Sequence, residues 1–181
     1  MRRTNAVLAA VLLIAGSGWA QEKKSEKPAP RASRFGAKMT TEAAIKDLYE
    51  RWATAFRARD IEAIMAMYAR GDDVVAYDIV APLEYKGAAA YRKDYEEFLG
   101  MFTGPIEVEF REMRVVASGD VGFVHALERI SGTMKNGQKM DLWLRATSGV
   151  RKYDGKWLIV HDHISVPADM ETGKAMMDLK P

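Results

Sequence analysis

The chain has no cysteine, and this absence excludes several kinds of site at once. Disulfide frameworks, thiolate metal centres and lipid attachment to a thiol all require that residue. The fold must therefore be held together by its apolar core, for which a hydrophobic content of 48% is sufficient. Histidine is also scarce, with three in the chain, and two of them, His161 and His163, stand in one short segment. Any imidazole chemistry is therefore expected near that segment.

The first twenty residues have the pattern of a secretory signal peptide, 1–20. Arg2 and Arg3 form a basic start, residues 6–15 are apolar, and Gly18 and Ala20 are small residues before a cleavage site. The apolar run, roughly ten residues, is shorter than the roughly 20 that a membrane-spanning helix needs. The sequence therefore predicts cleavage after Ala20 and a periplasmic or secreted protein.

Charge is balanced in the expected mature chain. Cleavage removes two arginines and no acid, so 25 of the 27 basic residues remain against 25 acidic ones. A surface with no net charge argues against nucleic acid, and against an anionic membrane after signal cleavage, as a partner.

Three segments follow the signal peptide. Residues 21–38 are rich in Lys, Glu, Pro, Ala and Ser without helical or strand periodicity, which predicts a flexible linker. Residues 39–167 carry both periodicities and are expected to form one domain. Residues 168–181 are polar and are expected to form a tail on its surface.

Helices are expected first and strands after them. Apolar spacing predicts a helix over 41–59 that begins at Thr40 or Thr41, a short helix capped by Asp60, and a third helix after Gly87. β-Branched runs and Gly-containing turn signals predict five strands, which are 74–80, 106–117, 121–134, 138–153 and 156–166. This order is typical of an α+β fold in which helices pack on the concave face of a curved antiparallel sheet. Apolar residues on both faces of the strands also predict a homodimer through the second face.

The register of the last three strands decides which side chains meet. A two-residue turn at Asn136-Gly137 pairs Glu128 with Arg145, and a bulged turn at Asp154-Gly155 places His163 beside Arg145. A two-residue turn at the second site shifts the pairing by one and sends the histidines to the opposite face. With the bulged turn, Glu128, Arg145 and His163 form a row into an enclosed hollow. The flanking residues, expected to contact a ligand, are Trp143, Thr147, His161 and Ser165.

Two interpretations of this row stay open. An Arg–Glu pair on a sheet is commonly a cross-strand ion pair. An imidazole beside that pair can instead titrate near neutral pH and exchange a proton with a ligand, with Arg145 holding an oxyanion. His161 and His163 also have metal-ligand spacing, but without a third well-placed ligand no metal is expected. Asp162 is a candidate ligand only in the alternative register.

Asp78 is a second candidate, because it lies in an otherwise apolar run. A carboxylate there must find hydrogen-bond donors or have a raised pKa, and a raised pKa in a cavity suits a general base. The alternative is that Asp78 only bonds backbone amides at the end of its strand. Tyr49 and Trp52 are expected to line the core and the pocket.

The stretch from Asp141, DLWLRATSGVRKYDGKWLIVHDHISVP, resembles the final hairpin of SnoaL-like proteins, which are related to ketosteroid isomerase within the nuclear transport factor 2-like superfamily. The segments VVAYDIVAPLEYKG and TGKAMMDLKP resemble the same group. The resemblance implies a cone-shaped α+β barrel with a deep pocket, usually as a homodimer. It matches the recurring Arg and Thr of the family to Arg145 and Thr147, and its His-x-His-x-Ser to His161, His163 and Ser165. Asp78 matches the base of the steroid isomerase only loosely, and no second buried Asp is evident.

These observations support three functions. The first is an enzyme without metal or cofactor in which Asp78 or His163 takes a proton from a small organic molecule, as an isomerase, cyclase or dehydratase does. The second is a protein that binds such a ligand without turnover. The third is a dimeric interaction module with a vestigial pocket.

Overall fold

The computed structural model describes residues 39–181, whose core is one six-stranded sheet with three helices. The expected signal peptide and linker lie outside the described residues. The helices are α1 (Thr41–Ala58), α2 (Ile61–Met65) and α3 (Ala88–Gly100). The strands are β1 (Val75–Tyr77), β2 (Tyr85–Lys86), β3 (Phe102–Ser118), β4 (Val121–Met134), β5 (Lys139–Tyr153) and β6 (Lys156–Ser165).

Helix α1 begins and ends where its capping residues allow. The Thr40 side chain accepts a hydrogen bond from the Ala43 amide, and Arg59 ends the helix in the left-handed conformation with φ of 57°. Asp60 caps α2 through the Ala63 amide at 2.9 Å. The predicted apolar stripe is confirmed, since its five members are all buried: Ile45, Leu48, Tyr49, Trp52 and Phe56. The sequence therefore predicted which face of α1 meets the sheet.

The sheet has the strand order β2-β1-β6-β5-β4-β3 and is mixed. The α+β fold with a curved sheet is confirmed, but a purely antiparallel sheet was wrong, because β1 runs parallel to β6. The partner of β1 lies 86 positions along the chain from Val75, at His161, which no local pattern reveals. β1 is also shorter than the 74–80 expected, because the chain leaves the sheet at Asp78.

The β4–β5 turn is one residue longer than predicted. Met134 pairs with Gln138 through its amide at 2.8 Å, and the Gly137 amide bonds the Met134 carbonyl at 2.9 Å with φ of +85° at the glycine. This is a three-residue loop with glycine in the left-handed position, rather than a two-residue turn. As a result Glu128 pairs with Leu144, not with Arg145, and Arg145 pairs with Leu127.

The β5–β6 turn is the two-residue alternative, and a bulge follows within the strand. Asp154 and Gly155 have φ of 47° and 82°, as a type I′ turn requires, and Tyr153 pairs with Lys156. The register then shifts between Gly149 and Val150, so that Val160 is an extra residue on β6. Beyond this bulge Ser148 pairs with Asp162, Thr147 with His163, and Arg145 with Ser165.

The two faces of the sheet differ in burial. The inner face of β5 is closed by helices and is buried at alternate positions, which are Leu142, Leu144, Ala146 and Ser148. The opposite face carries Arg145, which is exposed, and exposed apolar residues of neighbouring strands such as Val121 and Phe123. The tail after Ser165 is mostly exposed and is fixed to the sheet by Lys180, whose Nζ lies 2.9 Å from Asp141. Among the helices of residues 39–181, none is long and apolar enough to cross a membrane.

Candidate functional site

A cavity lies between the inner face of the sheet and helices α1 and α3. The cavity has a volume of about 110 Å³, several times the share of one water molecule, so it has room for a small organic ligand. Seven of the nineteen described residues that line the cavity are aromatic, and they include Tyr49 and Trp52, as predicted for these two residues, and Tyr95. Four carboxyl groups also line it, from Asp78, Asp94, Glu128 and Asp162.

Asp162 is held in a hydrogen-bond network on the cavity wall. Its Oδ1 accepts from Ser148 Oγ at 2.5 Å, and its Oδ2 accepts from Tyr68 Oη at 2.5 Å. Tyr68 Oη lies 2.7 Å from Tyr95 Oη, which accepts from Trp52 Nε1 at 3.2 Å. Hydrogen-bond donation can therefore run in one direction, from the indole through both phenols to the carboxylate.

Burial raises the pKa of Asp162 to about 6, while the bonds from Ser148 and Tyr68 oppose the rise by stabilising the ionised form. Asp162 is 6% exposed, and each of its carboxyl oxygens has a donor. Asp162 is therefore an ionised group near neutral pH whose orientation is fixed by its partners.

Glu128 is the second buried carboxyl, and it has no such support. It is 4% exposed, and among residues 39–181 no side chain or amide donates a hydrogen bond to it. Burial raises its pKa to about 8, with further contributions from the negative charges of Asp162 and Asp78. Glu128 is thus mainly protonated at neutral pH, and its free hydrogen-bonding capacity faces the cavity.

Asp78 lies where the chain leaves β1, in the segment that borders the cavity with Ile79 and Val80. Burial raises its pKa to about 6, helped by the charge of Asp94, while backbone amides oppose the rise. The Ile79 amide donates to Asp78 Oδ1 at 2.6 Å. Asp78 thus bonds the backbone while its pKa is still raised, and its role as a general base stays a prediction.

Tyr49 presents a further polar atom to the same space. The residue is 6% exposed, and within residues 39–181 its hydroxyl is the one side-chain polar atom that has no accessible surface and no hydrogen-bond partner, whereas the Glu128 oxygens keep some accessible surface. Burial raises its pKa well above the ordinary value, so the hydroxyl stays protonated and able to donate. An unpartnered buried hydroxyl is costly, and a ligand atom in the cavity would relieve that cost.

The predicted row of Glu128, Arg145 and His163 is not formed. Glu128 faces the cavity, whereas Arg145 and His163 lie on the outer face, because the two turns place β4, β5 and β6 in other registers than predicted. The flanking residues assigned to ligand binding also lie outside the cavity, namely Trp143, Thr147, His161 and Ser165. The placement predicted for these six residues beside the ligand is therefore wrong.

On the outer face these residues have other neighbours. Arg111 stacks on the Trp143 ring at 4.7 Å, and His161 Nδ1 lies 2.8 Å from the Val75 carbonyl oxygen. The Tyr77 ring packs edge-on against His161 and His163, with ring centroids 5.0 and 5.8 Å away. The contacts of His161 and His163 tie β1 to β6, and the Arg111–Trp143 stack joins β3 to β5.

Sequence reasoning missed the network around Asp162 and Ser148. It predicted Tyr68 only as a buried residue of the second helix and Tyr95 only as core or pocket lining. Asp162 could have been found by extending the alternation of Leu142 and Leu144 across to β6, because the predicted register already placed it on that face, opposite Ala146. The second buried Asp that was not evident from the sequence is thus present. Within residues 39–181, no three His, Cys, Asp or Glu side chains are grouped so that they could hold a metal ion.

The architecture and the chain's relatives agree. A family model described as SnoaL-like domain matches residues 45–169. The chain belongs to the SnoaL-like family. An NTF2-like protein of unknown function from Pseudomonas putida has a solved structure that is 42% identical to this SnoaL-like chain, with a TM-score of 0.70. The match covers 80% of this chain and 100% of that one.

Two more distant structures show the same fold as this SnoaL-like protein. A ketosteroid isomerase-like protein from Erwinia carotovora is 25% identical with a TM-score of 0.58, covering 68% of this chain and 93% of that one. A protein of the NTF2-like superfamily from Salmonella enterica is 15% identical with a TM-score of 0.64, covering 73% and 94%. None of the curated proteins matches the chain. The comparisons therefore give this SnoaL-like protein a family and a fold.

Proposed function

We propose that this protein binds a small, largely apolar organic molecule in the cavity and moves a proton on it, as isomerases, cyclases and dehydratases do. The observation that carries the proposal is the meeting of two kinds of group in one aromatic cavity. Asp78 is a carboxyl with a pKa of about 6, and Glu128 and Tyr49 are buried donors whose capacity is unused. Proton transfer of this type uses no metal or cofactor.

Asp78 is the proposed base. At neutral pH it is mainly ionised, and it stands at the cavity border, where a ligand's C–H bond next to a carbonyl can reach it. The proton passes to the carboxylate, and the electron pair of the broken C–H bond moves onto the carbonyl oxygen as an enolate. Return of the proton to another carbon completes an isomerisation, and expulsion of a leaving group completes an elimination.

Glu128 and Tyr49 are the proposed donors to the enolate oxygen. A protonated carboxyl and a phenol in a water-poor cavity stabilise a developing negative charge without needing to reorganise. Neither has to give up an existing partner in the described residues to do so. Arg145, predicted for this role from the sequence, is replaced by these two neutral donors.

Hydrogen–deuterium exchange tests the proposal without knowledge of the natural substrate. Acetophenone in D₂O supplies an exchangeable methyl group next to a carbonyl on a ring that fits an aromatic cavity. We expect Asp78→Asn to lower protein-dependent exchange by about 100-fold or more, the usual contribution of a general base. His163→Ala is the matched control on the outer face and should exchange as the parent does. Equal rates in Asp78→Asn and the parent would remove Asp78 from the role of base.

Binding without turnover is the alternative use of the same cavity, and the same experiment separates it. Acetophenone that quenches the fluorescence of the cavity residue Trp52 but shows no protein-dependent exchange would identify a binding protein rather than an enzyme.

A homodimer through the outer face is a further proposal, supported by exposed apolar side chains there. Val116, Val121 and Phe123 are 68%, 57% and 48% exposed, on neighbouring strands β3 and β4. Light scattering coupled to gel filtration should give twice the mass of the chain, and Phe123→Glu should give the mass of one. A parent protein that elutes as a monomer at micromolar concentration would rule this proposal out.

Export remains a proposal carried by residues 1–20. Expression of the full chain in a Gram-negative host should place it in the periplasmic fraction with Gln21 as its first residue. A cytoplasmic protein that still begins at Met1 would contradict the proposal.

A further inference from the structure

The charged groups around the cavity are all of one sign. Nineteen residues of the described chain line it, and none of them is Lys, Arg or His. Four are carboxylic acids: Asp78, Asp94, Glu128 and Asp162. A second anion brought among them would be repelled and would find no cation to pair with, so carboxylates and phosphates are poor ligands.

The rest of the wall is rich in aromatic rings. Trp52 and Phe56 stack with ring centroids 4.8 Å apart, and Tyr91 and Tyr95 lie 4.9 Å apart. The negative faces of such rings attract cations, and aromatic cages recognise quaternary and methylated amines in this way. Rings and acids together form the chemical surroundings that suit an organic ammonium group.

One of the acids is left without a partner inside this cage. Glu128 is 4% exposed, faces the cavity and receives no hydrogen bond from the residues 39–181. Asp162, in contrast, already has a donor on each oxygen. An ammonium N–H, or the positive charge of a quaternary amine, is the partner that an unsupported carboxyl among other carboxyls lacks.

We propose that the ligand of this cavity is an organic cation, in which a protonated or quaternary amine is attached to an apolar ring or chain, with Glu128 as its counter-ion. The inference rests on the proposed function in that both use this cavity. It adds the charge of the ligand, which the proton-transfer proposal leaves open. Beside a bound cation Glu128 is ionised and no longer donates, so Tyr49 is then the donor to the enolate oxygen, and Asp78 keeps its role as base. The same molecule would also contain a carbonyl group, which acidifies the C–H bond on the neighbouring carbon that Asp78 deprotonates.

Three probes that share a benzene ring and one attached carbon test the charge directly. Benzylammonium, benzyl alcohol and benzoate are titrated into the full chain at about pH 8, followed by calorimetry and by Trp fluorescence. We expect benzylammonium to bind at least tenfold more tightly than benzyl alcohol, and benzoate to bind more weakly than both. Benzyl alcohol binding as tightly as benzylammonium would overturn the cation inference and leave the cavity as a small-molecule site. No binding by any probe would overturn the cation inference and count against the proposed function as well.

Glu128→Gln locates the effect within the cavity. The substitution keeps the shape of the side chain and removes the charge, so benzylammonium should lose at least tenfold in affinity while benzyl alcohol changes by less than twofold. Glu50→Gln is the matched control, because Glu50 is exposed on α1. Near-UV circular dichroism of both variants shows whether they remain folded. An equal loss for both probes in folded Glu128→Gln, or no loss for benzylammonium, would remove Glu128 as counter-ion.

Discussion

Tyr68 donates a hydrogen bond to Asp162, which is 94 positions later in the chain, with 2.5 Å between Oη and Oδ2. The bond joins the segment after α2 to the last strand, and both groups are buried. Because Tyr68 also contacts Tyr95 at 2.7 Å, one phenol links the acid of the sheet to helix α3. The cavity wall is therefore held together by polar contacts as well as by apolar packing.

Tyr68→Phe should destabilise the protein most where Asp162 is ionised. The substitution removes one donor to a buried carboxylate, and such bonds contribute about 1.5–3 kcal/mol. We expect that loss in urea unfolding at about pH 8 and a smaller loss at about pH 5, where Asp162 is protonated. Tyr153→Phe is the control, since its hydroxyl bonds Asp73 at 3.0 Å on the surface. A pH-independent loss in Tyr68→Phe would mean that packing rather than the charge is responsible.

Stability should fall as pH rises from about 4 to about 8. The pKa values of Asp78 and Asp162 rise from 3.8 to about 6 on folding, and that of Glu128 rises from 4.5 to about 8. The folded state therefore holds protons that the unfolded state has released, and the free energy of unfolding decreases through that window. The contribution is complete below the unfolded pKa values and is lost above the folded ones. Urea midpoints measured across the range check this expectation.

Glu128→Gln should abolish the upper part of that pH dependence. An amide in place of the carboxyl has no proton to lose, so the decline between about pH 6 and 8 should flatten. Each unit of pKa corresponds to about 1.4 kcal/mol, and the variant should exceed the parent in stability above pH 8 by a few kcal/mol. The exposed-site variant Glu50→Gln should retain the parent's profile. An unchanged slope in Glu128→Gln would show that Glu128 is not protonated in the folded protein.

His163→Ala and Arg145→Gln should leave ligand binding unchanged. Both residues stand on the outer face, away from the cavity. Affinities for acetophenone and for benzylammonium should stay within twofold of the parent in each variant. A tenfold loss of affinity in either variant would indicate that the ligand binds on the outer face.

Much of the fold could be predicted from local patterns, whereas the site depended on register. The stripe from Ile45 to Phe56, the cap at Asp60 and the existence of the long strands all follow from short-range spacing, and the structure contains them. Which face Arg145 occupies depends instead on whether a glycine turn has two or three residues. Asn136-Gly137 and Asp154-Gly155 are compatible with both lengths.

The errors at the two turns had unequal consequences. At the first turn, the longer loop shifted β5 by one residue relative to β4. Arg145 therefore pairs with Leu127 and lies on the opposite face of the sheet from Glu128. At the second turn, the two-residue loop and the bulge at Val160 together moved β6 by two steps relative to β5, so the histidines kept the same face as Arg145. The cavity also contains predicted residues that lie outside β5 and β6, namely Glu128 on β4, Tyr49 and Trp52 on α1, and Asp78 after β1. Their positions do not depend on the registers that the two turns set for β5 and β6.

Gly132→Ala should be destabilising through steric overlap. A Cβ at this position would lie 2.9 Å from Phe102 Cδ1, and Phe102 is 1% exposed. Overpacking of this kind costs about 1–3 kcal/mol, which urea unfolding can measure. Gly100→Ala is the control, because an added Cβ there meets no described atom within 4 Å and alanine favours the helix. Equal stability of the two variants would show that the Phe102 ring moves aside freely.

The bulge at Val160 decides which side chains of β6 face the cavity. Before it, Ile159 bonds the backbone of Met67 and Ala69, and after it His161 pairs with Val75, so the strand changes neighbours at the bulge. The same residues paired without the bulge would set Val160 opposite Gly149 and His161 opposite Ser148, in place of Asp162. The cavity wall would then gain the imidazole of His161, which can accept a proton and become positive, and would lose the carboxyl of Asp162. In this architecture a one-residue bulge thus decides whether an acid or an imidazole lines the chamber, while every strand keeps its place.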